Sequence, residues 1–309
     1  MQQYNSLNTI RLQNAWLTIG IFDGVHRGHQ EILRGLVSGA HAAGKPAVVL
    51  TFSPHPAVVL GGKTDLKYLT TLEERAELLG SHGVDVVITQ TFDRALADQG
   101  AVEFMQSLCQ SLGLQALVIG YDTALGHGRE ANAARLTEIG KELGYSVQVV
   151  PALTDAAGVI SSTRIRRAIL AGNVAGAAGD LGRPYSITGP VIHGDGRGHT
   201  INIPTANIQM PEEKIMPAYG IYACRAWVNG QAHLAATSLG VRPTFYGDRL
   251  PAPTIEAHLL DFHQNLYGKN VKLEFIEYLR PEEKYDSVEA LVEQIQRDIK
   301  RTREILKEE

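Results

Sequence analysis

Apolar strand-like runs that alternate with helical patterns are the feature that most constrains the fold of this chain. Between residues 15 and 150, short apolar runs are separated by segments whose apolar residues recur at helical spacing. Such alternation is typical of a mostly parallel sheet covered by helices on both faces, so we predict an N-terminal doubly wound α/β domain. One intervening helix is predicted to begin at the capping-box pattern of Thr71 and Glu74. Strands are expected at Ala15–Ile21, Ala47–Phe52, Val84–Thr89, Ala116–Ile119 and Ser146–Val150.

The pattern changes beyond Gly182, where short runs with a two-residue alternation replace the helices. Asn229-Gly230 lies between two of these runs and predicts a tight hairpin turn. An apolar stripe over Val288–Ile299 predicts a final helix, capped by Asp286 or Ser287. We therefore expect a small antiparallel β-barrel followed by a C-terminal helix.

A chain of 309 residues has room for two domains, which we predict at residues 1–181 and 182–309, with a link rich in small residues at 172–180. The net charge of −4 provides no general basic face, so no nucleic-acid partner is expected. No apolar run has the length of a membrane span and no signal peptide is recognised, so no membrane partner is expected. Cys109 and Cys224 lie far apart in the sequence and do not have the spacing of metal ligands. We predict that they are buried thiols of a protein in a reducing compartment. We predict a cytoplasmic protein that is a monomer or a weak homo-oligomer.

His26 and His29 follow directly after the first apolar run. They are expected at the carboxyl end of a strand, which is the ligand-binding edge of an open α/β sheet. The next helix directs its backbone N–H groups and the positive end of its dipole at this edge. The two imidazoles suit a phosphate whose negative charge grows in a transition state, and Gly28 permits close approach to the backbone. The alternative is a pair of histidines that cap a helix on an ordinary surface.

A second candidate phosphate site lies at Ile160–Arg166. Its hydroxyl and N–H groups at a helix start, followed one turn later by Arg166, suit a β,γ-phosphate. For this segment alone, an ordinary Ser/Thr helix cap is the alternative.

In the second half, the glycine-rich stretch Gly194–His199 precedes Pro204–Asn207. Thr205 and Asn207 offer oxygen ligands to Mg²⁺, although alone the segment is typical of a β-turn. Glu256 is a carboxylate in the strand-like run Thr254–Asp261 and is a candidate general base. It alternates with its apolar neighbours and should point to the opposite face of its strand. An exposed strand carboxylate is the alternative.

These motifs resemble those of the prokaryotic bifunctional riboflavin kinase/FAD synthetase family, in the same order over about residues 15–306. In the first half, Thr51–Pro56 adds to the two phosphate motifs. In the second half the resemblance is carried by Gly182–Tyr185, Pro204–Asn207, Gly240–Phe245 and Glu256–Asp261.

The resemblance implies an N-terminal nucleotidyltransferase domain that transfers AMP from ATP to FMN, and a C-terminal flavokinase barrel that phosphorylates riboflavin. It implies ATP as co-substrate and riboflavin, FMN and FAD as substrates and products. It also implies Mg²⁺ for both steps, with Thr205 and Asn207 as its ligands in the C-terminal domain. The implied catalytic residues are Glu256, His26 and His29. The implied ATP and phosphate contacts are Gly20, Phe22, Asp23, Gly28, Ser161, Ser162, Thr163, Arg166, Gly194, Gly196, Gly198, Thr205 and Asn207. The implied flavin contacts are Phe52, His55, Asp122, Arg242 and Thr244.

The chain departs from the family pattern at three places. Thr123 and Leu125 stand where the family has two aromatic residues, Asn202-Ile203 stands where Gly-Phe is common, and Ser238 replaces an asparagine. The lost aromatic stacking leaves open a riboflavin kinase with an impaired adenylyltransferase domain. A further alternative is a non-catalytic flavin or nucleotide sensor, against which the intact Glu256 argues.

Overall fold

The computed structural model describes residues 1–62, 65–194, 201, 203–241 and 253–307. By spatial contacts the chain divides into two compact units, Met1–Ser162 and Thr163–Glu309. This division precedes the predicted boundary at residues 181 and 182, because the segment between them contacts the strands of the second unit. Which residues each activity needs stays a prediction.

The first unit is built on the predicted parallel sheet. Its strand order is β1-β4-β3-β2-β5-β8, and all of its pairs are parallel. The chain moves outward from β2 to β3 and β4, then returns to place β5 on the other side of β2, so β2 borders a topological switch point. The sheet strands are β1 (Gln2–Tyr4), β2 (Trp16–Ile19), β3 (Ala47–Ser53), β4 (Val86–Thr91), β5 (Ala116–Gly120) and β8 (Ser146–Val150). Short pairs are formed by β6 (Ala124–Leu125) with β7 (Ala131–Asn132) and by β9 (Thr154–Asp155) with β10 (Gly158–Val159).

Helices cover both faces of this sheet, and the continuous apolar run of β3 shows why. Val48 and Leu50 belong to one buried cluster, whereas Ala47 and Val49 belong to another. A strand buried on both faces has apolar residues at nearly every position. The helices are α1 (Arg27–Ala42), α2 (Pro56–Gly61), α3 (Leu72–Ser81), α4 (Arg94–Ala97), α5 (Ala101–Leu112) and α6 (Ala133–Leu143). The predicted capping box is confirmed, since the Thr71 side chain and the Glu74 side chain each bind the other's backbone N–H.

The second unit contains the predicted barrel, which is closed and antiparallel in the order β11-β12-β15-β14-β13-β16. Its strands are β11 (Tyr185–Ile192), β12 (Ala206–Ile208), β13 (Gly220–Val228), β14 (Gln231–Val241), β15 (Pro253–Leu259) and β16 (Asn270–Arg280). The hairpin at Asn229-Gly230 is confirmed, with positive φ angles of 50° and 80° at the two residues. The helices that accompany the barrel are α7 (Ser162–Leu170), α8 (Val174–Leu181) and α9 (Val288–Lys307).

Three details differ from or sharpen the sequence predictions. The small-residue stretch at 172–180 is mostly α8, in which Val174 and Ala177 are buried. Ser287 rather than Asp286 caps α9, since its hydroxyl accepts the N–H of Ala290 at 3.1 Å. Cys224 is buried as expected, but Cys109 is only partly buried and packs against the apolar core of the first unit.

Candidate active sites

The turn after β2 places the two histidines at the start of α1. Phe22, Gly24 and Val25 all have positive φ, so the chain reverses sharply before the helix begins. His26 is the N-cap of α1, and its Nδ1 accepts the backbone N–H of His29 at 3.3 Å. Because Nδ1 accepts, a neutral His26 ring carries its hydrogen on Nε2.

The two imidazole rings stack on each other, with centroids 3.6 Å apart and an interplanar angle of 21°. Phe22 lies against His29 at 5.0 Å between ring centroids. The pKa of His29 is well below its usual 6.5, first because the ring is desolvated and then because of the nearby His26 and Arg75. His29 Nδ1 has no hydrogen-bond partner among the described residues. His29 is therefore neutral at physiological pH.

Gly28 allows the chain to pass closely between these groups. A Cβ at this position would lie 3.1 Å from His26 Cε1 and 3.5 Å from the carbonyl oxygen of Ile160. The first phosphate motif thus adjoins Ile160, within the first unit. Ser162 strengthens this link, since its hydroxyl donates to the carbonyl oxygen of Asp23 at 2.9 Å.

The predicted phosphate residues therefore divide into two groups. The first group lies beside His26, in the turn after β2 and at the start of α1, and consists of Gly20, Phe22, Asp23 and Gly28. Ser162 is hydrogen-bonded to this turn through the carbonyl oxygen of Asp23. Ser161 and Thr163 flank Ser162, and Arg166 lies one turn further along α7. The predicted helix start after Ile160 is thereby confirmed, while the phosphate contacts stay predictions.

A buried polar network supports the turn, and the sequence motifs did not reveal it. The Asp23 carboxylate accepts the N–H groups of Leu69 and Thr70, at 3.0 and 3.1 Å to Oδ1, and the Thr70 hydroxyl at 3.2 Å. Arg75, on α3, has a guanidinium nitrogen 3.6 Å from the same carboxylate, and both side chains are 2% exposed. Thr70 Oγ1 in turn accepts the N–H of Gly24 at 3.2 Å. The capping box locates α3, but only the fold pairs it with the turn after β2.

The predicted flavin residues of the first unit occupy different environments. Phe52 is buried in the core, where its ring contacts Phe92 and Phe104 at centroid distances of 5.5 and 6.5 Å. His55 caps α2 by accepting the N–H of Ala57 at 3.0 Å. Asp122 is exposed after β5. His55 and Asp122 are thus more accessible to a ligand than Phe52 is.

On the barrel, three polar residues form a row across adjacent strands. Asn207 on β12 is paired with Glu256 on β15, and Glu256 is paired with Ser238 on β14. Directly opposed residues of an antiparallel pair share a face of the sheet. Ile255 and Ala257 are buried inside the barrel, whereas Glu256 is half-buried on its outer face, as its alternation predicts.

Thr205 and Asn207 have the chemistry that a hard cation requires. Both supply neutral oxygen donors, and the two-residue spacing places them on one face of the chain. Gly194 packs against Asn207, because a Cβ there would overlap the Asn207 amide. No group of three or more His, Cys, Asp or Glu suited to a metal occurs in the part of the chain that the structure describes. A cation here would therefore depend on phosphate oxygens for most of its ligands.

A cavity of about 400 Å³ opens beside Thr205. Its wall combines strand residues of the barrel with the loop after β15, which contributes Phe262 and Tyr267. Tyr267 stacks on His193, with ring centroids 4.0 Å apart. The lining residues are Val191, Pro204, Thr205, Ala206, Ala257, Leu259, Phe262, His263, Gln264, Asn265, Leu266 and Tyr267.

Ser238, which replaces the family asparagine, hydrogen-bonds to a carboxylate that the sequence analysis did not single out. Its hydroxyl donates to Glu282 Oε1 at 3.0 Å, and a Cβ at Gly240 would overlap the same carboxylate. Glu282 therefore lies beside the row that contains Glu256. The predicted residues Gly196, Gly198, Arg242 and Thr244, and the departure at Asn202, lie outside the described residues.

Comparisons with known proteins agree with both halves of this architecture. The FAD synthetase family matches residues 9–164, and the riboflavin kinase family, Flavokinase, matches residues 181–306. A bifunctional riboflavin kinase/FMN adenylyltransferase from Listeria monocytogenes is 38% identical over 94% of this chain and 92% of its own. A protein of the same description from Haemophilus influenzae is 39% identical over 93% of each chain. The chain belongs to the bifunctional riboflavin kinase/FMN adenylyltransferase family.

A solved structure supports the fold over nearly the whole chain. It is described as a macrolide-efflux protein from Streptococcus pneumoniae and has a TM-score of 0.90 with 32% sequence identity. The match covers 97% of this chain and 98% of that protein. Within the described ranges, no helix combines the length and the apolar character needed to cross a membrane.

Proposed function

We propose that this chain makes FMN and then FAD in two ATP-dependent steps. Residues 182–309 phosphorylate riboflavin to FMN, and residues 1–181 transfer the adenylyl group of ATP to FMN with release of pyrophosphate. The observation that carries the proposal is the presence in one chain of the His26–His29 pair beside Ser162 and of the Asn207–Glu256 pair on the barrel.

In the adenylyl transfer, a phosphate oxygen of FMN attacks the α-phosphorus of ATP, and the bond from that phosphorus to the bridging oxygen breaks. The FMN phosphate is already anionic and needs no strong base. His26 donates its Nε2–H to the phosphate oxygens, while the N-terminus of α1 supplies a positive dipole end. The segment from Ser161 to Arg166 stabilises the leaving pyrophosphate. His55 and Asp122 are the flavin contacts that we retain here, because Phe52 is in the core.

In the phosphorylation, the 5′-hydroxyl oxygen of riboflavin attacks the γ-phosphorus of ATP, and ADP leaves. Glu256 accepts the hydroxyl proton as the new bond forms. The cavity beside Thr205 has a volume suited to a nucleoside, and its aromatic side chains suit a flat base. We therefore assign it to the adenosine part of ATP. Arg242 and Thr244 stay predicted flavin contacts.

Thr205 and Asn207 are the residues that we expect to hold Mg²⁺ together with ATP, and Mg²⁺ would neutralise phosphate charge there. The role of the chain itself is to present these two oxygens at one end of β12, facing the strand of Glu256. The substrates are small molecules, so the proposal needs no macromolecular partner. We place the protein in the cytoplasm, as a monomer or a weak homo-oligomer.

The test is a product assay with the purified chain. Riboflavin, ATP and Mg²⁺ are incubated with the protein, and the flavins are resolved by chromatography over time. We expect FMN first and FAD later. A parallel reaction that starts from FMN isolates the adenylyl transfer from the phosphorylation.

Each other outcome has a separate meaning. If the chain forms FMN but no FAD, even when FMN is supplied, it is a riboflavin kinase whose adenylyltransferase domain is impaired. Thr123 and Leu125, which replace two aromatic residues of the family pattern, would then be the first residues to test as the cause. Flavin binding without any product would make the chain a sensor. Both outcomes would contradict the proposal.

A further inference from the structure

His258 is tied to the segment that carries the proposed ATP ligands. Its ring nitrogen Nδ1 lies 2.7 Å from the carbonyl oxygen of Pro204. A carbonyl oxygen only accepts hydrogen bonds, so Nδ1 must carry the hydrogen. The distance is at the short end of the range for N–H···O bonds. The bond therefore fixes both the tautomer of the neutral His258 ring and the direction of the Pro204 carbonyl.

The strand register explains why this contact forms. Ala206 is paired with Ala257 and Asn207 with Glu256, so one further step along the ladder brings His258 opposite Thr205. His258 is half-buried and shares the outer face of β15 with Glu256, two residues earlier. The strand that presents the proposed base thus also presents the ring that holds the turn before β12.

The hydrogen bond acts on the one backbone angle of Pro204 that its own ring leaves free. The pyrrolidine ring fixes φ, whereas ψ is free to rotate and sets the direction of the carbonyl. The ring of Pro204 fixes φ, and the hydrogen bond from His258 to the carbonyl oxygen restricts ψ. Together they fix the plane of the Pro204–Thr205 peptide bond. The position of the Thr205 hydroxyl follows from that plane. At the other end of the segment, Asn207 is packed against Gly194.

We propose that His258 is a positioning residue for the phosphorylation of riboflavin. It holds the Pro204–Thr205 peptide in the orientation in which Thr205 meets the phosphates of ATP, and it does not itself touch the reacting atoms. This inference rests on the proposed kinase function of the barrel. Its expected signature is an effect on ATP binding and on the KM for ATP, with a smaller effect on kcat.

Three substitutions at this position separate a specific hydrogen bond from general packing. In His258→Asn the side-chain amide nitrogen takes the place of Nδ1, whereas in His258→Gln it reaches the place of Nε2. His258→Ala has no donor. We expect the KM for ATP to rise about five- to tenfold in the Ala and Gln variants, which is the loss typical of one hydrogen bond. The Asn variant should stay within about twofold of the wild type.

Two further measurements keep the test independent of folding and of the proposed function. Titration calorimetry with ADP alone should show weaker binding by the Ala and Gln variants and near-normal binding by the Asn variant. Conversion of FMN to FAD by the same preparations should not change, because that reaction uses the other unit. Wild-type protein that forms no FMN would contradict the proposed function itself.

The inference is overturned in either of two cases. If all three variants retain the wild-type KM for ATP and affinity for ADP, the bond positions nothing. If Asn and Ala variants are equally impaired in both quantities, His258 acts through packing or direct contact and not through the Pro204 carbonyl.

Discussion

The ring of His26 stacks on the ring of His29 while its Nδ1 accepts the backbone N–H of the same residue at 3.3 Å. One side chain therefore caps α1 and also orients the second imidazole. Burial of the His29 ring, followed by the nearby His26 and Arg75, keeps the pKa of His29 well below its usual value. In the proposed adenylyl transfer, this pair presents an uncharged ring beside a helix N-terminus to a phosphate.

Replacement of His29 by alanine should abolish FAD formation and spare FMN formation. Loss of a group that stabilises charge in a transition state lowers the rate by about 100-fold or more. The rates of both reactions can be measured on one preparation by chromatography of the flavins. His41→Ala is the matched control, because His41 lies in the last turn of α1 and is largely exposed. Equal loss of both activities in folded His29→Ala protein would contradict the assignment of separate sites.

The stability of the protein should depend on pH through His29. The pKa of His29 is near 6.5 in the unfolded chain and lower in the native state, so the unfolded state binds more protons between these two values. The free energy of unfolding therefore falls as the pH decreases through this window. We expect His29→Gln to lose less stability than the wild type between about pH 7 and about pH 5. Urea unfolding at both pH values tests this, and parallel losses would contradict it.

Removal of the Arg75 guanidinium should destabilise the turn that carries the histidines. Arg75→Met leaves the Asp23 carboxylate buried without its cation, which costs about 3 kcal/mol or more of unfolding free energy. We expect FAD formation to fall while FMN formation continues. Arg34→Met is the control, since Arg34 is an exposed helix residue whose described ion pair is with Glu31 on the same helix. Equal stability of the two variants in urea unfolding would show that the Asp23 network does not depend on Arg75.

Local sequence patterns were sufficient to predict the fold of both halves and the position of His26 and His29 between β2 and the start of α1. The alternation of strands and helices predicted the parallel sheet, and Asn229-Gly230 predicted a barrel hairpin. The two-residue alternation around Glu256 correctly predicted that this side chain faces away from Ile255 and Ala257. Each of these features is encoded within a few consecutive residues.

The remaining features depend on residues that are far apart in the chain. Asp23 meets Thr70 across 47 positions, and Ser238 meets Glu282 across 44. No periodicity in the sequence encodes such pairs. Phe52 shows a second reason. Most side chains of a strand buried on both faces are apolar, so in the sequence an aromatic residue that faces a ligand cannot be distinguished from one in the core.

Replacement of Glu256 by glutamine should abolish FMN formation and spare the conversion of supplied FMN to FAD. The amide has nearly the same shape but cannot accept the hydroxyl proton, so we expect a loss of about 100-fold or more in kcat. Glu277→Gln is the control, because Glu277 is a barrel carboxylate whose described ion pair is with the exposed Arg301. If Glu256→Gln retains wild-type kcat in the phosphorylation assay, another group is the base.

A methyl group at Gly194 should impair the phosphorylation through Asn207. The added Cβ would overlap the Asn207 amide, which must then move away from its position opposite Glu256. Because Asn207 is a proposed ligand of the cation that accompanies ATP, Gly194→Ala should raise the Mg²⁺ concentration needed for half-maximal FMN formation. Gly268→Ala is a control with open space at the added methyl, although its positive φ makes a small loss of stability expected. If Gly194→Ala and Gly268→Ala need the same Mg²⁺ concentration for half-maximal FMN formation, the contact between Gly194 and Asn207 does not contribute to cation binding.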